Sequence, residues 1–227
     1  MPDYGSYTSP AAGITTTRTG RLFSQVQVIL GSVDPANLKR VFNILPAQLI
    51  YDKLDEGQVR LASDLLCLEK SATLTVTSGT TTEPTGFYRA KLLKLPTGQW
   101  LQLEEVDIDN FDLLERNVIG TAEQTPLYFK RWNGTITFWP SPGSASYTLY
   151  YYGIPTTSIE QAVEPEVPAY MDQAILYWAV KELAPIANRT DLIVPYSTMW
   201  EQENFKLISR KTRTKTAAVQ IANDVYA

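Results

Sequence analysis

Apolar residues between positions 22 and 68 recur every three or four residues, the spacing that predicts amphipathic helices. The first run, from residue 22 to residue 30, contains VQVIL, so a strand remains an alternative there. Asp34-Pro35 predicts the start of a second helix, because Asp supplies a capping oxygen and Pro fits the first turn. Pro46 interrupts that helix, and a longer one follows that is predicted to end near Glu69. The apolar stripe of the longer helix consists of Leu54, Gln58, Leu61, Leu65 and Leu68.

From residue 71 to residue 152 the pattern changes to alternation, which predicts strands. Three strands are predicted from SATLTVTSG, GFYRAKLLKLP and GQWLQLEEVDI, and a short helical turn from FDLLERNVIG. Asn133-Gly134 lies between two alternating runs and predicts a two-residue hairpin, because both residues tolerate the positive φ of a type I′ turn. This turn fixes the register, which pairs Trp132 with Thr135, Arg131 with Ile136, Phe129 with Phe138, and Tyr128 with Trp139.

The predicted register sorts the hairpin side chains onto two faces. The apolar core face consists of Leu127, Phe129, Ile136 and Phe138. The other face carries Tyr128, Lys130, Trp132, Thr135, Thr137 and Trp139. The returning strand YTLYYYG adds Tyr147, Leu149 and Tyr151 on one side and Tyr150 and Tyr152 on the other. Because Tyr and Trp are enriched where proteins meet, the second face is either an interaction surface or packs under the helices of this chain.

The segment from Pro168 to the residue before Pro185 predicts a helix that is apolar on two sides. Such a helix lies inside a bundle or between subunits, and Tyr177 and Trp178 belong to it. A last helix, from about Tyr196 to residue 211, becomes basic toward its end, since residues 205–215 carry five basic groups and no acid. The remaining residues are mostly small and polar, which predicts an extended tail that a partner orders.

The patterns together predict an α+β fold in which an α-helical bundle is interrupted by an antiparallel β-domain. The predicted parts are a flexible N-terminal arm (1–20), a helical part (21–70), an inserted β-domain (71–167), C-terminal helices (168–211) and an extended C-terminal tail (212–227).

The composition leaves little material for catalysis. The chain has no histidine, so imidazole bases and histidine metal ligands are excluded. Cys67 is interpreted as a small buried hydrophobe on a helix face. The acidic run EEVDIDNFDLLE is the best metal candidate, but it lacks the calcium-loop glycine, and alternation favours a solvated face of Glu105, Asp107 and Asp109. We therefore assign no catalytic, cofactor-binding or metal-binding residue, although a glycosidase with two carboxylates remains an alternative.

Charge and targeting signals narrow the possible partners. The net charge of −4 argues against broad, sequence-independent DNA binding. The basic segment near residue 210 is a solvated helix end, a nucleic-acid patch or a docking element for an acidic partner. We find no signal peptide and no transmembrane run, and we expect a protein that stays in a cytoplasm-like compartment or in an assembly made there.

Four stretches, in this order, resemble the head-to-tail adaptor (connector) proteins of tailed double-stranded-DNA phages, especially of the short-tailed type. They are LDEGQVRLASDLLCLEKSATLTVT, the strand pair at 86–108 with Leu95-Pro96, WNGTITFWPSPGSASYTLYYYGIP, and PEVPAYMDQAILYWAVKELA. The first is similar to the adaptor helix that runs into the first strand, the third to the adaptor hairpin and its WPSP loop, and the last to the start of the long C-terminal helix. The N-terminal arm and the helical segment before residue 54 are unlike a minimal adaptor.

The resemblance implies a structural virion protein and not an enzyme. It implies a ring, of twelve copies in that family, below the portal protein, through which genomic DNA passes without specific binding. Further partners are tail nozzle or tail fibre proteins. The residues that we expect to dock on the portal are Arg210, Lys211, Arg213, Lys215, Val219, Ile221, Val225 and Tyr226. The residues that we expect at a subunit or tail interface are Tyr128, Trp132, Trp139, Tyr150, Tyr152, Tyr177 and Trp178. Alternatives are a neck or tail-tube subunit and a carbohydrate-binding β-module.

Overall fold

A computed structural model of the protein describes residues 17–31, 45–117 and 125–225, and from residue 212 onward it describes the backbone only. Within these residues the helices are α1 (Arg18–Ile29), α2 (Ala47–Leu65), α3 (Ile108–Asn117), α4 (Asp172–Leu183) and α5 (Ile193–Val225). The strands are β1 (Glu69–Val76), β2 (Thr80–Thr82), β3 (Phe87–Lys94), β4 (Trp100–Leu101), β5 (Glu104–Glu105), β6 (Tyr128–Trp132), β7 (Thr135–Trp139) and β8 (Ala145–Gly153). The predicted α+β fold is confirmed.

The chain forms two units, a helical unit from residues up to 65 and from 157 onward, and a β-unit from residues 66–156. Residues 157–167, which the sequence interpretation assigns to the β-domain, belong with the helices. The reason is a pair of hydrogen bonds to α2: the N–H of Ile159 donates to Asp55 Oδ1 (3.1 Å) and that of Glu166 to Gln58 Oε1 (3.1 Å). In the described part of the chain, no helix is long and apolar enough to cross a membrane.

Helix α4 is the centre of the helical unit and packs against α1, α2 and α5. Both of its predicted apolar stripes are buried, with Ile175 and Ala179 fully inaccessible on one and Val180 on the other. Of the two locations that the sequence allowed, inside a bundle or between subunits, the structure therefore shows the first. Gly57 on α2 permits close packing, because a Cβ there would lie 3.1 Å from Cδ1 of Trp178.

Helix α1 is held by three residues that the sequence interpretation places in the flexible arm. Thr17 caps it, accepting the N–H of Gly20 at 3.2 Å, and Thr19, fully buried, donates its hydroxyl to the carbonyl of Val163 at 2.7 Å. Arg18 reaches the start of α4, where its Nε lies 2.5 Å from Asp172 Oδ1. The arm therefore ends before residue 18, and the helical alternative for residues 22–30 is confirmed.

The β-unit consists of two four-stranded sheets with strand orders β1-β8-β3-β4 and β2-β7-β6-β5. Their inner faces share one core, to which the first sheet contributes Leu74, Val76, Phe87, Leu93, Tyr147, Leu149 and Tyr151, and the second Phe129, Ile136 and Phe138. Pairing is antiparallel except between β5 and β6, which are parallel. The predicted strand GQWLQLEEVDI is therefore wrong as one element, because the chain leaves the first sheet after β4 and joins the second at β5.

The predicted hairpin is confirmed in every pair of its register, from Trp132 opposite Thr135 to Tyr128 opposite Trp139. Asn133 and Gly134 have φ of 47° and 72°, as a type I′ turn requires. The third aromatic strand, β8, does not continue this sheet, however. It lies between β1 and β3 in the other sheet, so the predicted single aromatic surface is two surfaces.

Four local predictions differ from the structure. Helix α2 ends at Leu65 because Leu66 adopts a left-handed φ of 48°, so Cys67 follows the helix and is half-buried. Leu127 is 52% exposed, since it precedes β6 and does not reach the core face. Helix α5 continues to Val225, so residues 212–225 are helical and not extended. The predicted helix start at Asp34-Pro35 lies outside the described residues.

Candidate interaction surfaces

The outer face of the first sheet combines aromatic rings with basic side chains. Residues directly opposite on paired strands face the same side, so Arg89 shares the side of Tyr152, and Lys94 that of Trp100. We define the basic aromatic face as Arg89, Lys91, Lys94, Trp100, Tyr150 and Tyr152. Tyr150 and Tyr152, which the sequence analysis predicts at an interface, are half-buried. Trp100, which it does not predict there, is 53% exposed.

The rings of the basic aromatic face are held in place by their neighbours. The centroid of Trp100 lies 5.1 Å from that of Tyr150, and Lys94 Nζ lies 5.5 Å from the centroid of Trp100. Lys91 Nζ lies 5.6 Å from the ring of Tyr152 and 2.7 Å from Glu69 Oε1. The sequence contains a signal for the position of Trp100. Alternating runs on both sides of Pro96-Thr97-Gly98 predict a short hairpin, and this hairpin brings Trp100 opposite β3.

The second hairpin face is partly covered by this chain's own helix. Helix α3 packs on β6 and β7, where Lys130 Nζ lies 4.4 Å from the centroid of the buried ring of Phe111 and 3.1 Å from Asp112 Oδ1. Tyr128 and Trp139 are half-buried. Trp132 at the turn is 67% exposed. The middle of the face therefore packs under a helix of this chain, as one of the two alternatives predicts, and its end at the turn is accessible; its role as an interaction surface stays a prediction.

An open acidic pocket of about 580 Å³ lies beside Trp132, lined by Glu105, Val106, Asp107, Ile108, Asp109, Arg131 and Trp132, and we call it the acidic pocket. Asp107 caps α3, with Oδ1 accepting the N–H of Asn110 at 2.8 Å. Arg131 is bound to Glu83, at 2.8 Å between Nη2 and Oε1, and this hydrogen bond raises the pKa of the guanidinium. Among the described residues no group of three or more His, Cys, Asp or Glu side chains could hold a metal ion.

Tyr177 and Trp178 lie within the helical unit. Trp178 is only 5% exposed, with the ring of Trp200 at 5.3 Å and the Arg60 guanidinium at 4.8 Å from its centroid. Tyr177 is half-buried, and its ring centroid lies 5.8 Å from that of Tyr196. The pKa of Tyr196 is raised, mainly by burial and to a smaller extent by the charge of Tyr177. Because Trp178 is already packed inside its own chain, we leave it out of the interface that we propose.

The basic end of α5 begins within the helical unit. Arg210 is exposed, with its guanidinium carbon 4.9 Å from the ring of Tyr170, and Lys211 Nζ donates to the carbonyl of Leu65. The other predicted docking residues up to Val225 lie on the helical backbone of α5, and Tyr226 lies outside the described residues. Lys211 therefore contributes to holding α5 on its own unit.

Helix α5 also carries an exposed apolar stripe that the sequence interpretation missed. Val194, Phe205 and Ile208 are 73%, 71% and 47% exposed. Their spacings of 11 and 3 residues place them on one side of a helix. The opposite side faces the bundle, where Leu207 is buried. Helical spacing of 194, 205 and 208 was the signal that could have found this stripe.

The family model described as SU10 adaptor protein matches residues 20–222, which is most of the chain. No curated protein matches it.

Proposed function

The chain belongs to the SU10 adaptor protein family of phage structural proteins, and from this premise we propose that it is a head-to-tail adaptor that forms a ring under the portal. In this proposal the phage is of the short-tailed type, the ring contains twelve copies, and it extends the DNA channel toward the tail nozzle or tail fibre proteins. The family is a structural family and not an enzyme family, and it implies a virion component with portal and tail partners.

The observation that supports the proposal most directly is the length and charge of helix α5 in a chain of this family. At 33 residues it is roughly 50 Å long. Its first turns pack on α4, where Tyr196 lies 5.8 Å from Tyr177 and Trp200 lies 5.3 Å from Trp178 between ring centroids. Residues 212–225 continue the helix by roughly 20 Å and carry Arg213 and Lys215. A long helix with a basic C-terminal part is suited to binding a preformed, acidic partner.

The charge of the chain also supports a channel protein. Basic walls would hold the phosphates of passing DNA, whereas a net charge of −4 does not favour such contacts. The side of α5 that exposes Val194, Phe205 and Ile208 is suited to side-by-side packing of neighbouring copies, since apolar side chains contribute to the core of such interfaces.

Negative-stain imaging of the protein mixed with the portal encoded beside it tests the proposal. We expect additional ring density at one end of the portal and its loss when residues 212–227 are deleted. Circular dichroism of the deletion variant is the control, since its helical unit should still fold. A deletion variant that co-purifies with the portal would refute docking through this helix. Rings that form without any portal binding would favour a neck or tail-tube subunit instead.

A further inference from the structure

We propose that the acidic pocket of one copy receives the basic aromatic face of a second copy, a head-to-tail contact within the β-units. This inference rests on the proposed ring and identifies the surfaces that build it. Both surfaces belong to the β-unit, one on the outer face of the first sheet and the other at the β5 edge of the second.

The charges of the two surfaces are complementary. On the basic aromatic face, Arg89, Lys91 and Lys94 stand against one acid, Glu69. In the acidic pocket, the carboxylates of Glu105, Asp107 and Asp109 lie beside one guanidinium, that of Arg131, which Glu83 binds at 2.8 Å and Glu105 approaches at 3.7 Å. The basic aromatic face therefore carries an excess of positive charge and the acidic pocket an excess of negative charge. Matched potentials of this kind direct association and set its register.

The aromatic residues supply the apolar part of the same contact. Trp100 on the basic aromatic face and Trp132 beside the acidic pocket are both more than half exposed. Exposed tryptophan next to charged groups is typical of the anchor residues at protein interfaces. An open pocket of about 580 Å³ is large enough for one basic side chain and part of an aromatic ring.

The same charges exclude a symmetric pairing of like surfaces. Two basic aromatic faces, or two acidic pockets, would repel each other, and like-charge juxtaposition is unfavourable. A contact between two different patches is heterologous, and such contacts generate closed rings when the rotation between copies closes. A face-to-pocket contact of this kind is therefore compatible with a closed ring.

Charge reversal on the full-length protein tests the contact, with assembly measured by mass photometry at low salt. The double variants Lys91→Glu/Lys94→Glu and Glu105→Lys/Asp109→Lys should each weaken self-association by about tenfold or more, because each reverses the charge of one surface and places like charges across the contact. An equimolar mixture of the two variants should assemble again, since both kinds of alternating contact then join opposite charges. Rings in this mixture should contain only even numbers of copies. Glu160→Lys, an exposed charge reversal in the helical unit, should assemble like the wild type.

The outcomes separate this inference from the proposed function. Wild-type rings that are unaffected by either reversal would refute the contact and leave the adaptor function standing. A wild-type chain that forms no ring, alone or on the portal, would refute the adaptor function itself. Reversals that weaken assembly without rescue in the mixture would show that each surface meets a different partner and would also refute the pairing. If Lys91→Glu/Lys94→Glu fails to fold, Arg89→Glu tests the same face.

Discussion

Replacing Arg18 with alanine should lower the unfolding free energy of the helical unit more than replacing any exposed residue of α1 would. The guanidinium is only 10% exposed and connects the first turn of α1 to the chain before α4. Its Nη1 donates to the carbonyls of Pro165 (2.9 Å) and Val167 (2.7 Å), and its Nη2 to that of Pro168 (3.1 Å). Arg18→Ala would leave these carbonyls and the Asp172 carboxylate without their cationic donor.

The size of the expected loss of unfolding free energy depends on the Asp172 charge that Arg18→Ala would leave unpaired. Removing one partner of a fully buried ion pair costs about 3–5 kcal/mol, because the remaining charge stays desolvated. Asp172 is 25% exposed and regains some water, which places the expected loss near the lower limit, at about 3 kcal/mol of unfolding free energy. Arg18→Lys keeps the charge but not the planar fork of donors, and it should lose about 1–2 kcal/mol.

Urea unfolding of the full chain, followed by circular dichroism at a helix-sensitive wavelength, measures these differences. Arg18→Met is the matched control, since it retains the apolar stem and should lose nearly as much as alanine. A double-mutant cycle with Asp172→Ala should give a coupling of about 1–3 kcal/mol. If Arg18→Ala unfolds within about 0.5 kcal/mol of the wild type, these contacts do not hold α1 and the interpretation is wrong.

Three further predictions concern the core, the interface and the hairpin. Gln58→Leu should lose about 1–3 kcal/mol in the same urea assay, because the fully buried Gln58 amide accepts the N–H of Glu166 and donates to Asp55, and leucine can do neither; an unchanged midpoint would contradict this. Phe138→Ala should lose about 3–5 kcal/mol of unfolding free energy, because Phe138 is buried. Trp139→Ala should impair ring assembly more than it lowers thermal stability. If both variants lower the thermal midpoint equally, Trp139 packs inside its own chain and not at an interface. Gly134→Val should lower the unfolding free energy by about 1–2 kcal/mol, because valine is strained at a φ of 72°. Gly134→Asn is the control and should lower it less in thermal unfolding. Equal losses for the two variants would exclude backbone strain as the cause.

Features that depend on neighbouring residues could be predicted from the sequence. Asn133-Gly134 and the alternation around it determine a register without any knowledge of the rest of the chain, and every predicted pair is present. The two-sided helix is similar, since its buried positions follow from its own spacing. These predictions succeed because local geometry alone decides which side chains share a face.

Features that depend on distant partners could not be predicted. Alternation shows that Tyr150 and Tyr152 share a face but not which strands lie beside them, so β8 was placed in the wrong sheet. Arg18 follows a Gly- and Thr-rich segment, and the residues that its side chain binds lie 147 or more positions away. Residues 212–225 are mostly small or polar, but Ala217, Ala218, Gln220 and Ala222 have high helix propensity, which favours the continuation of α5.

The β-unit begins and ends at neighbouring points, because Glu69 on β1 pairs with Tyr152 on β8 and the N–H of Gly153 donates to the carbonyl of Leu68 at 2.8 Å. An insertion with adjacent ends adds almost no span between the helices that precede and follow it. During evolution such a module can be enlarged, reduced or exchanged for another while the helices keep their path. A change of length or sequence inside the β-unit therefore need not alter the positions of its own two ends.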